Sequence, residues 1–395
     1  MKKIKPFVKV AVVGAIIGFL MSILIHEGLW FKLIQGFKNI SVFLYIPIII
    51  LLIFLNVLFH ELGHLFSFLL SGVKIRALYV FIFILKKDFD NKWKFEVDFK
   101  NFKFLGGMVV PNLEPITKDQ EYDLLRKKFS KALLDGPIAS LIHFVISLLI
   151  FLIVWIITDS YLFIGLLAIN FIVTLLMTIL IMLSSRLHTD ELYGDFFAYK
   201  KMKEDDTFCL VQLIQYRGFS LFEDNDSYLY EKGLEHIKRN PTQYKMFDLV
   251  LVTYIINEYL DKDEVCNTIE EITNEYNIIS LARNKHGLEL AYLIASVYYK
   301  IGDVKKSYDT FNEIIKVRNR YVDKDMQNFL LKQYEHLINR NDNTTYLTEN
   351  IEVYFKEYHI MLPIINKKVM MSELIKQLPF SNYQTAINVE NEKDE

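Results

Sequence analysis

The chain has 395 residues, is 52% hydrophobic and carries a formal net charge of -2. This charge balance argues against a nucleic acid or another polyanion as partner. Long uncharged runs dominate up to about residue 185, and the rest has the mixed composition of a soluble helical protein. The two cysteines, Cys209 and Cys266, lie in the polar part without metal-ligand spacing, which predicts reduced cytosolic thiols and excludes a cysteine zinc site.

Four apolar segments are long enough to be membrane spans. The first covers about residues 10–25, and we predict an uncleaved anchor because no small-residue cleavage site follows it. The others cover about residues 40–70, 132–158 and 160–185, and the last two are joined tightly at Asp159. Lysine and arginine concentrate on the side that holds both termini. The distribution therefore predicts a multi-pass protein of the cell membrane with both termini in the cytoplasm.

The second predicted span carries His60-Glu61-Leu62-Gly63-His64, whereas no charged side chain occurs from Ile40 to Phe59. Ionisable groups are costly within a membrane, so their presence in a span indicates function. Histidines at i and i+4 share one face of a helix and can present two imidazole nitrogens to one Zn²⁺ ion. Glu61 would lie beside the metal and take a proton from water. The alternatives are two histidines that only pack in the helix bundle, or a chance match to the motif.

Residues 75–110 favour a small β insertion between the second and third spans. Ser71-Gly72 predicts the end of the preceding helix. A β-branched and aromatic run at 75–85, a turn at 88–91 and an alternating run at 92–100 predict a hairpin, with another strand before Pro111. The alternation predicts one buried face, formed by Trp93, Phe95, Val97 and Phe99. Two roles stay open: a hairpin that only covers the helices, or an edge strand over the metal that holds an extended peptide.

A hydrolytic zinc site needs a third protein ligand and an open position for water. Donor side chains follow the fourth span within residues 187–196, at His188, Asp190 and Asp195. Spacing alone leaves the choice among these three residues open.

These motifs resemble the site-2 protease family of intramembrane zinc metalloproteases. The shared features are the HELGH motif in an early span, a glycine-proline element at residues 135–140, and an acidic residue after the span beyond it. The resemblance covers about residues 40–200. It implies a zinc ion held by His60 and His64, with Glu61 as the general base. The substrate that it implies is a transmembrane or membrane-associated polypeptide cut near the cytoplasmic face.

The resemblance also ranks the candidates for the third ligand. Asp195 is the first choice, because Gly194-Asp195 and the residues after it look like the helix that follows the family's aspartate. Asp190 is the second choice and His188 the third. An acidic residue that is not the ligand is predicted to be a helix N-cap or a solvated charge. The chain lacks the family's Asn-Pro and Asp-Gly pairs, so the residue that stabilises the oxyanion stays unassigned.

Polar residues in the last two spans are predicted to face the interior of the helix bundle. Asn170, Thr174 and Thr178 recur at every fourth position, which predicts hydrogen bonds between helices, with the lining of a substrate path as the alternative. The lone His143 is predicted to be a packing residue.

From about residue 203 the chain is polar and helical. The pattern from Ala291 to Ile314, with a turn at Ile301-Gly302-Asp303, is close to a tetratricopeptide repeat, and a looser copy covers about residues 249–272. Arrays of such repeats form surfaces that bind peptides or proteins. An ordinary helical domain is the alternative.

We therefore predict a mainly α protein: a polytopic four-span membrane helix bundle with a small β-hairpin insertion, followed by an α-helical repeat-like soluble domain. The predicted domains are residues 1–202 and 203–387, with a polar tail at 388–395. The predicted function is an intramembrane zinc metalloendopeptidase whose C-terminal helices recruit the substrate or a cytosolic partner. One alternative is a non-catalytic membrane adaptor with a degenerate protease core that binds peptides. A zinc transporter is a weaker alternative, because a single HExxH motif offers no relay across the bilayer.

Overall fold

The computed structural model describes residue 22 and residues 28–99, 106–189, 193–222, 227–240, 244–262, 266–317, 319–356, 363–365 and 367–378. These residues are mainly helical, and they include three helices that are long and apolar enough to cross a membrane. The predicted first span at residues 10–25 lies outside the described residues except for Ser22, so the expectation of a fourth span stays a prediction. The predicted tail at residues 388–395 also lies outside them.

The described residues form two compact units. The first contains the residues up to Leu70, Gly106–Met108 and Lys131–Tyr199, and the second contains the remainder. The β segment, apart from Gly106–Met108, therefore groups with the C-terminal helices. The domain boundary at residue 202 stays a prediction.

The helices of the first unit follow the predicted spans closely. They are α1 (Leu29–Lys38), α2 (Val42–Leu70), α3 (Asp119–Ile157), α4 (Tyr161–Ser184) and α5 (Asp195–Glu204), of which α3 belongs to this unit from Lys131 onward and α5 up to Tyr199. The second, third and fourth predicted spans correspond to α2, α3 and α4. Helix α3 begins well before the apolar segment expected at residue 132, because acidic residues in its first turn favour the positive end of the helix dipole.

The short helix α1 was not predicted, and it packs closely against α4. A Cβ on Gly165 of α4 would lie 2.3 Å from the carbonyl oxygen of Gly36 in α1, so only glycine permits this backbone contact. Lys32 of α1 donates to Asp159 between α3 and α4 at 2.7 Å. This contact ties α1 to the predicted tight connection between the last two spans.

Two of the three polar residues of α4, Asn170 and Thr174, form hydrogen bonds between the membrane helices as predicted. Thr174 accepts a hydrogen bond from Asn56 of α2 at 3.3 Å, and Asn170 donates to Ser147 of α3 at 2.7 Å. The buried Thr178 hydroxyl has no hydrogen-bond partner among the described residues. His143 packs edge-to-face against Phe59, with the ring centroids 4.1 Å apart.

The β segment forms a four-stranded sheet instead of the predicted hairpin with one further strand. Its strands are β1 (Lys74–Val80), β2 (Phe83–Lys87), β3 (Trp93–Val97) and β4 (Gly107–Asn112), in the order β3-β2-β1-β4. The run at residues 75–85 is two strands, because Phe81 adopts a positive φ of 51° and reverses the chain. Asn91, with a φ of 60°, lies in the predicted turn between β2 and β3. Gly72, with a φ of 76°, follows the end of α2 as predicted.

The prediction that the apolar face of β3 is buried is wrong. Trp93 and Phe95 are 50% and 64% exposed, whereas Ile84, on the other face of the neighbouring strand, is fully buried. That covered face includes Lys86, which donates to the carbonyl oxygen of Pro363 at 2.7 Å. The alternation of apolar and polar residues indicated which residues share a face. The segment at Pro363 covers the polar face, where its carbonyl group accepts a hydrogen bond from Lys86.

Eleven helices complete the described part of the second unit. They are α6 (Asp206–Gly218), α7 (Ser227–Arg239), α8 (Met246–Asp261), α9 (Asn267–Asn274), α10 (Ile278–Arg283), α11 (Leu288–Lys300), α12 (Val304–Lys316), α13 (Lys324–Leu337), α14 (Thr344–Glu349), α15 (Ile351–Phe355) and α16 (Lys367–Leu374). Helices α11 and α12 form a pair around Gly302, whose φ is 89°. The tetratricopeptide character of this pair stays a prediction. Cys209 and Cys266 are free thiols, as predicted.

Arg76 connects the sheet with C-terminal segments of the second unit. Its guanidinium is buried and donates to the carbonyl oxygens of Phe219 and Ile364 at 3.3 and 3.2 Å. Burial lowers the pKa of this guanidinium from its ordinary value. Bonds to several carbonyl groups are therefore what stabilise the charge of Arg76 in this position.

Candidate metal centre

Two histidines and an aspartate converge in the first unit. His60 and His64 lie one turn apart on α2, and Asp195 is the first residue of α5. One ligand atom from each of the three residues lies within 4.8 Å of the other two. The Nε2 atoms of the histidines are 3.2 Å apart, and Asp195 oxygens lie 3.1 Å from His60 Nε2 and 3.7 Å from His64 Nε2.

The partner of His64 sets its tautomer. His64 Nδ1 lies 2.7 Å from the carbonyl oxygen of Ala132, which can only accept a hydrogen bond. The Nδ1 atom must therefore carry the proton, and this leaves the Nε2 lone pair directed toward Asp195 and His60.

His60 is oriented in the same way through Ser140. His60 Nδ1 lies 3.1 Å from Ser140 Oγ, and that hydroxyl donates to the carbonyl oxygen of Gly136 at 3.4 Å. Because the Ser140 hydroxyl proton points to Gly136, Ser140 Oγ accepts a hydrogen bond from Nδ1–H of His60. The Nε2 atom of His60 is then unprotonated. Ser140 is the last residue of the glycine-proline element, but no sequence pattern indicated its contact with His60.

Two glycines let α2 and α3 approach each other at the cluster. A Cβ on Gly136 would lie 2.2 Å from His64 Nε2. A Cβ on Gly63 would lie 2.6 Å from both Ala139 Cβ and the carbonyl oxygen of Asp135. The glycines of the HELGH motif and of the glycine-proline element therefore face each other across this helix contact.

Gly136→Ala is expected to weaken zinc binding by at least about tenfold, because the added methyl group would occupy the space beside His64 Nε2, and overpacking alone costs about 1–3 kcal/mol. Competition with a chelator of known affinity measures the effect. Gly218→Ala is the matched control, since its Cβ would have no neighbour within 4 Å. Equal zinc affinity in the two variants would contradict the expectation.

Asp195 is held by a tight reversal after α4. Gly194 N–H donates to the carbonyl oxygen of Leu187 at 2.9 Å, and Phe196 N–H donates to that of Ser185 at 2.9 Å. A Cβ on Gly194 would lie 2.2 Å from the carbonyl oxygen of Ser184, so the reversal requires glycine. The hydroxyl of Ser185 also donates to the Asp195 carboxylate at 3.3 Å.

Burial raises the pKa of the Asp195 carboxyl, but its surroundings outweigh this effect. When the imidazoles are protonated, the hydrogen bond with His60 and the charges of both histidines lower the pKa, as does the hydrogen bond from Ser185, and the net result lies below the ordinary value. The charged carboxylate, which is the form that binds a metal, is thus favoured.

The other two candidates for the third ligand have different positions. Asp190 lies outside the described residues. His188 does not belong to the cluster, and its ring stacks on Phe197 with the centroids 4.6 Å apart. Among the described residues, Asp195 alone joins the two histidines.

The donor set fits a zinc ion. Two atoms bound to a tetrahedral zinc ion at about 2.0–2.1 Å lie roughly 3.3 Å from each other. The two imidazole Nε2 atoms are 3.2 Å apart, and Asp195 Oδ2 lies 3.1 Å from His60 Nε2, which are both close to this value. The other carboxylate oxygen, Oδ1, lies 3.7 Å from His64 Nε2. Two imidazoles and one carboxylate are also a usual set for a hydrolytic zinc site, which keeps a fourth position open.

Ser140→Ala is expected to lower zinc affinity by about 10–100-fold, because the partner that orients the His60 ring would be lost. The same chelator competition measures it. Ser147→Ala is the control, since Ser147 lies on the same helix and accepts from Asn170. A similar loss in both variants would mean that the effect comes from general helix packing.

Glu61 is buried next to the beginning of β4. Its side chain is 4% exposed, and a Cβ on Gly107 would lie 2.3 Å from Glu61 Cγ and 2.7 Å from Oε1. Only a residue without a side chain can lie against the Glu61 carboxyl at this point. Gly107 lies in the strand predicted before Pro111, but its contact with Glu61 joins distant parts of the chain and has no local sequence signal.

The fold and the cluster define a class of protein: an integral membrane protein with a site of two histidines and a carboxylate that could hold a metal. The sequence matches the model of Peptidase family M50 over residues 48–380, and the chain belongs to this family. This match confirms the resemblance to site-2 proteases. Members of the family are membrane-embedded zinc metallopeptidases. Comparisons with curated proteins and with solved structures gave no match.

Proposed function

We propose that the protein is an intramembrane zinc metalloendopeptidase. Its substrate would be a transmembrane or membrane-associated polypeptide, cut near the cytoplasmic face. The observation that carries this proposal is the convergence of Asp195 with His60 and His64, two residues of a helix that is apolar enough to cross a membrane. The proposal includes a multi-pass topology with both termini in the cytoplasm.

In this proposal Nε2 of His60, Nε2 of His64 and the Asp195 carboxylate would hold the metal. A zinc ion supplies a Lewis acid that activates water and polarises the scissile carbonyl. Glu61 removes the proton from the attacking water and later delivers it to the leaving amine nitrogen. One proton therefore moves from water to the amine as the amide C–N bond breaks. Ser140 and the carbonyl group of Ala132 keep the two imidazoles aimed at the metal.

The beginning of β4 is the proposed binding site for the extended substrate backbone. Within the described residues β4 is an edge strand, with β1 as its single neighbour. Its first residue, Gly107, lies against Glu61. An extended peptide that pairs with Gly107 and Met108 would pass beside the general base with its carbonyl groups unshielded by helical hydrogen bonds. A sheet that only covers the helices is the alternative role.

The helices of the C-terminal region are proposed to recruit the substrate or a cytosolic partner. Helices α11 and α12 pack against each other, and arrays of such helix pairs form surfaces that bind peptides or proteins. This role is separate from the chemistry at the metal and can be lost without loss of zinc.

The test compares cells that produce the wild-type protein with cells that produce Glu61→Gln. Labelling of new N-termini in the membrane fraction, followed by mass spectrometry, should show cleavage within or next to apolar segments only with the wild type. A zinc chelator should abolish these products. Identical N-termini in both cultures would contradict the protease and favour the alternative, a non-catalytic membrane adaptor that binds peptides.

A further inference from the structure

A cavity of about 760 Å³ lies among α10, α12 and the loop that follows α12. Three cationic side chains line it, Arg283, Lys316 and Arg320, against one acid, Glu313. All four are exposed, and none of the three cations forms an ion pair within the described residues. The lining thus carries three positive charges and one negative charge, which leaves a net positive charge.

The same cavity collects exposed apolar side chains. Beyond residue 200, the described chain exposes four large hydrophobic side chains: Tyr244, Ile279, Ile315 and Tyr321. Two of them line the cavity, Ile279 at 40% exposure and Tyr321 at 72%. The ligand that fits such a lining has apolar groups as well as negative charge, which disfavours free phosphate and nucleic acid backbone.

The two walls of the cavity are fastened to each other by Asn319. Its buried side chain donates to the carbonyl oxygens of Ala282 and Asn284, at 2.7 and 3.2 Å, at the end of α10. Its Oδ1 atom accepts from the backbone N–H groups of Tyr321 and Val322, at 2.8 and 3.1 Å, in the loop. The cavity therefore exists before any ligand arrives, which reduces the entropy cost of binding.

We infer that this cavity binds an acidic segment of a partner polypeptide, with several carboxylates and an apolar side chain between them. Guanidinium groups bind carboxylates through paired, charge-assisted hydrogen bonds, and two of the three cations are arginines. The volume is in the range of about 300–1,000 Å³ that is typical of ligand sites. The inference rests on the proposed recruiting role of the C-terminal helices and is independent of the zinc chemistry.

The test uses the full-length Glu61→Gln protein in detergent, so that no probe is cut. The probe is a fluorescein-labelled peptide, Ala-Glu-Asp-Leu-Glu-Phe-Glu-Ala, and binding is measured by fluorescence anisotropy. Replacing both Arg283 and Arg320 by glutamate should weaken binding by at least about tenfold and reduce its dependence on salt. The matched control replaces Lys305 and Lys324, which do not line the cavity, by glutamate. Its affinity for the probe should stay within about twofold of that of the Glu61→Gln protein.

Other outcomes would overturn the inference. Three results would show only nonspecific charge attraction. They are an equal loss of affinity in the control variant, equal binding of a peptide with lysine in place of each acid, and displacement of the probe by a short oligonucleotide. Tighter probe binding after removal of residues 381–395 would assign the cavity to the chain's own acidic tail. A change of oligomeric state in the variant with both arginines replaced would assign it to a second copy. If the probe does not bind but the wild-type protein still shows zinc-dependent cleavage, this inference is overturned and the protease proposal stands.

Discussion

Asp195→Ala is expected to reduce the zinc content of the detergent-purified protein from about one ion per chain to a small fraction of that value. The substitution would leave two imidazoles without the carboxylate that lies 3.1 Å from His60 Nε2. The loss in affinity should exceed the roughly 10–100-fold that follows from removing a hydrogen bond to a metal ligand. Elemental analysis by mass spectrometry gives the stoichiometry directly.

Asp190→Ala is the decisive comparison for this result, because Asp190 is the alternative third ligand. The variant is expected to keep its zinc. Zinc lost in Asp190→Ala and kept in Asp195→Ala would move the third ligand to Asp190. If the wild-type protein contains no zinc after metal-replete preparation, the proposed hydrolytic zinc site is contradicted.

Glu61→Gln is expected to retain zinc and to lose cleavage by a factor of about 10²–10⁴. Glutamine has nearly the same size as glutamate, so the packing against Gly107 should persist while the proton acceptor is removed. Zinc analysis and a cleavage assay on the same preparation measure the two effects. The pair of results separates the general base from the metal ligands.

The matched control for this variant is Glu114→Gln. Glu114 is an exposed carboxylate that pairs with Lys74, and its loss should leave zinc and cleavage unchanged. Cleavage by Glu61→Gln within about tenfold of the wild type would contradict the assigned role of Glu61. Loss of zinc in Glu61→Gln would instead point to a structural role for this carboxylate.

Local sequence was sufficient to place the first two donors of the candidate site. Two histidines at i and i+4 share a face wherever the surrounding residues are helical, and the apolar run before His60 ensures a helix. The same argument predicted α2, α3 and α4 to within a few residues at the ends where the apolar runs stop. The short helix α1 was not predicted, because its sequence is typical of a connection between spans.

The β segment shows what local patterns leave open. The alternation in β3 correctly indicated a strand, since the period of two depends only on the backbone. Which face is covered depends on what packs there, and the segment at Pro363, far away in sequence, accepts from Lys86 on the polar side. The positive φ of Phe81 likewise carried no signal, because phenylalanine rarely adopts it.

By itself, the sequence determined a membrane-embedded helical protein with two histidines on one face of a span and a glutamate between them, because these features follow from hydropathy and helix geometry. The tertiary structure decided that Asp195, and not His188, lies against those histidines. It also decided that Ser140 and the carbonyl group of Ala132 orient the histidine rings. These contacts join residues more than 60 positions apart, and such distances depend on how helices pack rather than on any local preference.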